Sequence, residues 1–377
     1  MKKIILLLSV LALLCITGAS IADGPVAYQE VKLTSSLFNG AVVGKTVVPA
    51  GWKVYIKELG LGSESIMWPN ALHVIAFSPD ESVVLHYISR RDFRERQVTA
   101  GSYSTHSDDD AYDKSSMVHT LNYREAGAAC DFMVNILFDD SSHTFLYEAS
   151  KPAGETAFLE KYRQKYLEET ESGLSEAIQL LGGKMQLLGV DLTAAERVYQ
   201  SGSKKTAMAA MTSGFEAYIN EPSVAAYDTI DWSINCLYAM QADSALFDQY
   251  YDIFTVFRMN TSTTQEYDEM TKLHSQILQN YLMMLQSGKE APDPTNDMNQ
   301  ATEDTIETGY TYSALEGWSD TIQDRNDYKT SDGLHVKIPT LYDHVYEGDD
   351  GTIYAGIGNS LETPYGSTEL FPTEVGE

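Results

Sequence analysis

The sequence predicts an α+β protein, in which an antiparallel sheet packed with amphipathic helices is followed by a long helix and a small β-rich C-terminal module. Three observations lead to this class. Apolar residues recur at every second position in many short segments and at spacings of three and four in a few longer ones. Short turns rich in Pro, Gly, Asp and Ser join several strand-like segments, which favours antiparallel hairpins. The segments also lack the regular β-α-β alternation of parallel sheets.

The N-terminus has the order of a secretory signal peptide. Two lysines precede an apolar run over residues 4–16, and Ser20 and Ala22 occupy the positions favoured for cleavage before Asp23. The run is short for a bilayer span, and no later run approaches that length. We therefore expect a signal peptide over residues 1–22 and a secreted or extracytoplasmic mature chain with no transmembrane segment.

Composition limits the partners. The 377 residues are 43% apolar, which is ample for a core. Loss of two lysines with the signal peptide changes the formal net charge from −28 to −30. A field of this sign repels nucleic acid and anionic membranes. The expected partner is therefore an unknown protein, peptide or glycan.

The first part of the mature chain is rich in strand-like segments. They lie at residues 41–48, 52–59, 72–78, 82–89, 131–138 and 143–149. The apolar pattern lapses between Arg90 and Tyr112, which predicts a long surface loop. An amphipathic helix is expected over residues 156–181, and strand character returns over residues 185–219.

The stretch from Tyr227 to Asn260 predicts the centre of the core. Residues 227–241 form a strand in which six apolar side chains alternate with mostly polar ones. Asp243 or Ser244 then caps a helix with apolar residues at spacings of three and four. The alternating residues are Ile230, Trp232, Ile234, Cys236, Tyr238 and Met240.

Beyond this core, the composition changes. A capping box at residues 263–266 starts a long amphipathic helix, which ends an α+β domain spanning residues 23–288. Residues 289–309 have the composition of an acidic linker. Residues 310–377 are acidic and rich in Tyr and Gly, as expected of a small β module.

Several local motifs resemble a known family. They are the turn Val48-Pro49-Ala50-Gly51-Trp52, the strand end Ser78-Pro79-Asp80, and the helix running into Phe254, Phe257 and Arg258. Over about residues 40–260 the chain resembles uncharacterised exported bacterial proteins with a PsbP-like α+β domain. The resemblance implies a fold and an extracytoplasmic location, with binding or assembly as the role. It supplies no catalytic residues, and residues 90–123 depart from its compact pattern.

Four arginines form the densest basic cluster of this acidic chain: Arg90, Arg91, Arg94 and Arg96. Arginine forks bind carboxylates and phosphates through paired hydrogen bonds, so the cluster is a candidate site for an acidic ligand or for the acidic tail. The alternative is local ion pairing, because Asp92 and Glu95 lie among the arginines.

Two further sites have open alternatives. Four carboxylates crowd one loop, and calcium is the one cofactor they suggest, although a solvated loop explains them too; they belong to Asp108, Asp109, Asp110 and Asp113. Cys130 and Cys236 remain after signal cleavage. They are candidates for a disulfide in an oxidising compartment, or else two separate buried thiols.

These patterns favour a non-enzymatic binding or interaction protein at the bacterial cell envelope. The sequence has no Gly-x-Ser-x-Gly elbow and no zinc-binding histidine motif. The competing function is a secreted hydrolase of cell-wall or host polymers. Its carboxylates cannot be chosen from 54 acidic residues by sequence alone.

Overall fold

The computed structural model describes residues 26–36, 38–63, 66–98, 104–105, 111–113, 118–138, 142–149, 159–168, 170–171, 184–220, 227–271, 273, 277, 297, 325–331, 335–339, 344–349, 351–356 and 367–371. The predicted signal peptide, the aspartates at 108–110 and all but one residue of the predicted linker lie outside these ranges. No helix within them is long and apolar enough to cross a membrane.

Strands dominate the described residues. They are β1 (Val26–Thr34), β2 (Val42–Pro49), β3 (Lys53–Ser63), β4 (Ile66–Phe77), β5 (Val83–Ile88), β6 (Arg91–Val98), β7 (Ser104–Thr105), β8 (Ala111–Asp113), β9 (Val118–Thr120), β10 (Thr144–Glu148), β11 (Lys184–Ser201), β12 (Lys204–Asn220), β13 (Tyr227–Asp243), β14 (Ser262–Thr263), β15 (Arg325–Lys329), β16 (His335–Pro339), β17 (His344–Glu347), β18 (Ile353–Gly356) and β19 (Thr368–Leu370). The helices are α1 (Ala126–Leu137), α2 (159–168 and 170–171), α3 (Phe247–Asn260) and α4, described over 265–271, 273 and 277.

A large sheet is organised around β13. Its main order is β10-β11-β12-β13-β5-β4-β3, and β6 to β9 extend from the first half of β13. Residues 227–234 pair with β6, whereas residues 237–242 pair with β5. The pairs are antiparallel except for that between β6 and β9. The predicted strand and helix at 227–260 are confirmed, although α3 begins at Phe247 after an N-cap at Leu246 that makes no side-chain capping bond.

One extra residue in β13 changes the direction of its side chains. Met211 and Thr212 are adjacent in β12, but their partners Cys236 and Ile234 lie two residues apart. Asn235 is therefore a β-bulge, which reverses the alternation beyond it. The six apolar residues predicted for one face are divided between two cores, with Ile230, Trp232 and Ile234 on one side and Cys236, Tyr238 and Met240 on the other.

Helices cover both faces of the large sheet. On one face α1 buries Cys130, Met133 and Val134 against the core that contains Trp232. On the other face α3 packs Phe254 and Phe257, together with residues of β2 and α4. Burial on both faces explains why the strands carry apolar side chains at consecutive positions.

A six-stranded sheet joins the two ends of the chain. Its order is β14-β2-β1-β18-β17-β19, so the N-terminal strands β2 and β1 lie directly beside the C-terminal strands β18, β17 and β19. Val26 of β1 pairs with Ala355 of β18. The β15–β16 hairpin adds Tyr328 and Ile338 to the same core, which also contains Val256 of α3.

The predicted fold class was wrong. The protein is mostly β, with two large antiparallel sheets, and its C-terminal strands complete a sheet begun by β1 and β2 instead of forming a small separate module. The helix α4 is described over only 265–271 and two later residues. Propensity and period identify strands locally, but they do not show which distant strands pair.

Two local predictions were also wrong. Residues 131–137 belong to helix α1, and Phe138 is its C-cap. The buried side chains of this helix recur at helical spacing from Ala126, upstream of the segment considered. The predicted surface loop after Arg90 contains β6. The period of two along β6 is not visible in the apolar pattern of the sequence, because most of its side chains are charged or polar.

Candidate functional site

The pleat of β6 separates the arginine cluster onto two faces. Phe93 stacks on Trp232 at a centroid distance of 4.5 Å, and the Arg91 guanidinium lies 5.3 Å from the Phe93 ring centre on that same face. Asp92 and Arg94 therefore point to the opposite face. The four arginines do not form one basic patch.

Arg94 forms a bidentate ion pair with a carboxylate of the same sheet. Its partner, Asp231, lies directly opposite Arg94 on β13. Arg94 Nε donates to Asp231 Oδ1 at 2.5 Å, and Nη2 donates to Oδ2 at 2.7 Å. Both side chains are about three-quarters buried. This arrangement supports the local ion-pairing alternative for Arg94, because its guanidinium fork is occupied by a carboxylate.

Arg90 has a different environment at the junction of β5 and β6. Its Nε donates to Asp92 Oδ1 at 2.7 Å, and Ser233 Oγ donates to the same oxygen at 2.5 Å. Among the described residues, no hydrogen bond to either Nη of Arg90 or to Asp92 Oδ2 is found. The Arg90 side chain is 60% exposed and that of Asp92 is 54% exposed. The Arg90 guanidinium is thus held by one hydrogen bond at Nε, and neither Nη group has a hydrogen bond among the described residues.

Neighbouring charges and hydrogen bonds shift the pKa values of these exposed groups. The charge of Asp92 raises the pKa of Arg90 against the effect of burial, and Tyr166 of α2 and Asp268 of α4 act in the same direction as Asp92. Burial favours a higher pKa for Asp92, but Arg90 and Ser233 outweigh it and the pKa is lowered. We call this group of interacting side chains the Arg90 cleft; it comprises Arg90, Asp92, Tyr166, Ser233 and Asp268.

Asp268 is the second notable acid of the Arg90 cleft. Its side chain is exposed, but burial raises its pKa to about 6, and Glu266 and Glu269 act in the same direction. Thr263 Oγ1 donates to Asp268 Oδ1 at 3.3 Å, and no ion pair of Asp268 is found among the described residues.

The bulge at Asn235 explains why a polar site adjoins the core. Before the bulge, Asp231 and Ser233 point to the face opposite Trp232. Beyond it, Cys236 and Tyr238 point to that same face and pack with α3. One face of β13 therefore changes from polar to apolar midway along the strand. The polar half carries Ser233, which donates a hydrogen bond to Asp92 of β6.

The remaining predicted residues do not join this site. The backbone of Arg96 lies in β6 opposite Thr229, and Asp113 ends β8. Asp108, Asp109 and Asp110 lie outside the described residues, so the calcium prediction remains a prediction. Within the described part of the chain, no group of three or more His, Cys, Asp or Glu side chains is placed to hold a metal ion.

Cys130 and Cys236 are free thiols in this structure. Cys130 lies in the core on the α1 side of the large sheet, whereas Cys236 lies in the core on the α3 side. The sheet separates them, so the disulfide is not formed here and the arrangement is that of two separate buried thiols. Burial raises the pKa of Cys236 to about 12 and also raises that of Cys130.

Sequence reasoning missed Ser233, Tyr166 and Asp268. Ser233 carried a signal, because it lies on the polar side of the predicted strand. Tyr166 and Asp268 carried none, since each belongs to a helix whose position depends on tertiary packing. Comparison of the chain with protein-family models, curated proteins and solved structures gave no match.

Proposed function

We propose that this protein is an exported, non-enzymatic binding protein of the bacterial cell envelope, and that it takes its ligand in the Arg90 cleft. The N-terminal sequence supports export. The observation that carries the binding role is the state of Arg90: its guanidinium is positioned through Nε alone, is 60% exposed, and has no hydrogen bond at either Nη among the described residues. Arginine in this state is suited to bind a carboxylate or phosphate.

The experiment is a calorimetric titration of the purified chain with small carboxylates and with inorganic phosphate. We expect Arg90→Gln to weaken the binding of an anionic probe by tenfold or more, since a charge-assisted hydrogen bond contributes about 1.5–3 kcal/mol. Arg91→Gln is the matched control, because Arg91 is adjacent in sequence but lies against Phe93 on the other face. Equal affinities for the wild type and Arg90→Gln would refute the proposal.

One observation favours the alternative function, a secreted hydrolase of cell-wall or host polymers. In the Arg90 cleft the pKa of Asp92 is lowered while that of Asp268 is raised to about 6. Carboxyl groups with divergent pKa values are typical of acid and base partners in hydrolysis. Release of products from wall polymers by the wild type, lost in Asp268→Asn, would favour this function over binding alone.

A further inference from the structure

We propose that the large sheet binds an extended acidic peptide of a partner protein, which adds as a strand beside β3. The binding surface lies on the α1 side of the sheet and is called the Tyr55 face: Lys53, Tyr55 and Lys57 of β3, Ile75 and Phe77 of β4, and Val84 of β5. Asp92 of the Arg90 cleft points to the opposite side of the sheet. The inference therefore goes beyond the function proposed for that cleft and does not depend on it.

Strand register places these side chains on one face. Residues directly opposite each other in an antiparallel pair point to the same side. Across β3 and β4 the opposed pairs are Lys53–Phe77, Tyr55–Ile75 and Lys57–His73. Phe77 is in turn opposite Val84 of β5. The Tyr55 and Phe77 rings pack edge to face with their centres 5.9 Å apart, so the face carries an aromatic pair with a lysine on each side of Tyr55.

The Tyr55 face is open to solvent, although the other face of the same strands is buried. On that other face the side chains of β4 and β5, such as Val74 and Leu85, have no exposed surface. On the Tyr55 face, Tyr55 is 54% exposed and its apolar neighbours on β4 and β5 are half-buried. Helix α1 packs on β11 and β12 and meets this side of β5 at its C-cap, where the Phe138 ring lies 5.1 Å from that of His86. Contiguous exposed apolar side chains typically mark an interaction site.

The charge of the Tyr55 face is opposite to that of the chain. The chain has 54 acidic and 26 basic residues, yet Glu58 is the one acidic residue of β3, β4 and β5. Glu58 points to the other side of the sheet, where Ser36 N donates to its Oε2 at 3.2 Å. Neither Lys53 nor Lys57 has an ion pair among the described residues. Charges are screened beyond about 8 Å in physiological salt, so a carboxylate at these lysines meets their field and not that of distant acids.

Strand β3 also has an open edge. It is the last strand of the large sheet, and among the described strands it pairs with β4 alone. An extended peptide forms main-chain hydrogen bonds along such an edge, and its side chains at alternate positions supply specificity. Opposite charges stabilise cross-strand pairs, so the peptide residues opposite Lys53, Tyr55 and Lys57 are expected to be acidic, apolar and acidic. Its two acidic residues then lie about 13 Å apart along the strand.

A second copy of β3 is a poor occupant of this edge. Antiparallel pairing centred on Tyr55 places Lys53 of each copy opposite Lys57 of the other, and like charges at directly opposite positions destabilise a strand pair. Lysines on an edge strand hinder self-association in this way. They favour a strand that brings carboxylates, so we assign the edge to an acidic peptide.

The test is a calorimetric titration of the purified chain with an acetylated and amidated peptide whose centre is Glu-Thr-Phe-Thr-Glu. The matched probe has glutamine in place of both glutamates. We expect the glutamate peptide to bind about fivefold or more tightly than the glutamine peptide, because it gains two cross-strand charge pairs. The double variant Lys53→Gln with Lys57→Gln should remove this difference. Lys184→Gln with Lys204→Gln, which removes the same charge from β11 and β12, is the matched control and should keep it.

Peptides methylated at alternate backbone nitrogens test the addition of a strand. Successive N–H groups of a strand point to opposite edges, so one of the two alternating sets bonds to β3 and the other faces away. We expect methylation of one set to abolish measurable binding and methylation of the other set to leave the affinity unchanged. Equal effects of the two methylated peptides would overturn strand addition.

Other results also overturn the inference. They are absence of binding by the glutamate peptide, equal affinity for the two peptides, or a glutamate peptide that binds the Lys53→Gln, Lys57→Gln variant as tightly as the wild type. A uronate oligosaccharide that binds more tightly than the peptide and loses affinity in that variant would assign the face to an anionic glycan instead. Arg90→Gln should bind the peptide like the wild type, and a loss there would place the peptide at the Arg90 cleft. Thermal melts of each variant without peptide separate loss of binding from loss of folding.

Discussion

The pair His73 and His86 should make the protein less stable in mild acid. His73 Nε2 and His86 Nδ1 lie 2.9 Å apart on the α1 side of the large sheet, so one ring donates a hydrogen bond to the other. Burial lowers the pKa of His86 to about 3, with His73 adding to the effect. Burial and the charge of Lys57 lower the pKa of His73 to about 4. Both rings are neutral in the native state at neutral pH.

The direction of this pH dependence follows from the number of protons bound by the folded and unfolded states. Between the folded pKa values and the ordinary value of 6.5, the unfolded chain binds protons that the native state excludes. These two histidines therefore cost no stability above about pH 6.5, and the free energy of unfolding decreases as the pH falls below that value. At about pH 5 the loss is about 2 kcal/mol for His86, which is only 7% exposed. His73 adds up to a similar amount, less what its partial exposure to solvent removes.

Urea denaturation at about pH 7.5 and about pH 5 measures this difference. His86→Phe keeps an aromatic ring next to Phe138, whose ring centre lies 5.1 Å from that of His86. Between the two pH values, we expect the free energy of unfolding to fall by about 2 kcal/mol less in the variant than in the wild type. His344→Gln is the matched control, because it removes a histidine from β17 of the six-stranded sheet and leaves the His73–His86 pair intact. Equal losses in the wild type and His86→Phe would refute the reasoning.

Three other predictions follow from packing and burial. Gly44→Ala should destabilise the protein by about 1–3 kcal/mol in urea denaturation, since the added Cβ would lie 2.4 Å from a β14 carbonyl oxygen. Gly189→Ala is its control, because a Cβ at Gly189 would have no atom within 4 Å. Glu196→Gln should cost about 3–5 kcal/mol by the same assay because it leaves the buried Arg258 charge without its carboxylate, and an unchanged midpoint would contradict this. Cys130 and Cys236 should react with a thiol reagent only at the rate of unfolding, since burial raises both pKa values; rapid labelling of the native chain would disprove it.

The sequence was sufficient for elements whose apolar side chains recur with a clear local period. The strand at Tyr227 and the helix that follows it were predicted because the period changes within a few residues. The strand character predicted over residues 185–219 is confirmed by β11 and β12, although their pairing as a hairpin was not predicted. Both signals are local, so they need no knowledge of distant partners.

The candidate site could be predicted only in part. Arg90 and Arg94 were identified as ligand candidates, but their different states depend on Asp231, Ser233 and the bulge at Asn235. A single-residue bulge reverses the facing of every later side chain, and it leaves no mark in a periodic pattern. Asp268 lies on α4, and a single sequence does not specify how that helix packs.

The pairing of Val26 with Ala355 has a consequence for the order of folding. Until the last strands are available, β1 has β2 on one side and an open edge on the other, and Tyr28 and Val47 lack most of the core that buries them. Contacts between residues so far apart in sequence close slowly. The chain therefore remains without its complete second sheet until nearly all of it has been released, which suits a protein that, as proposed, crosses a membrane before it folds.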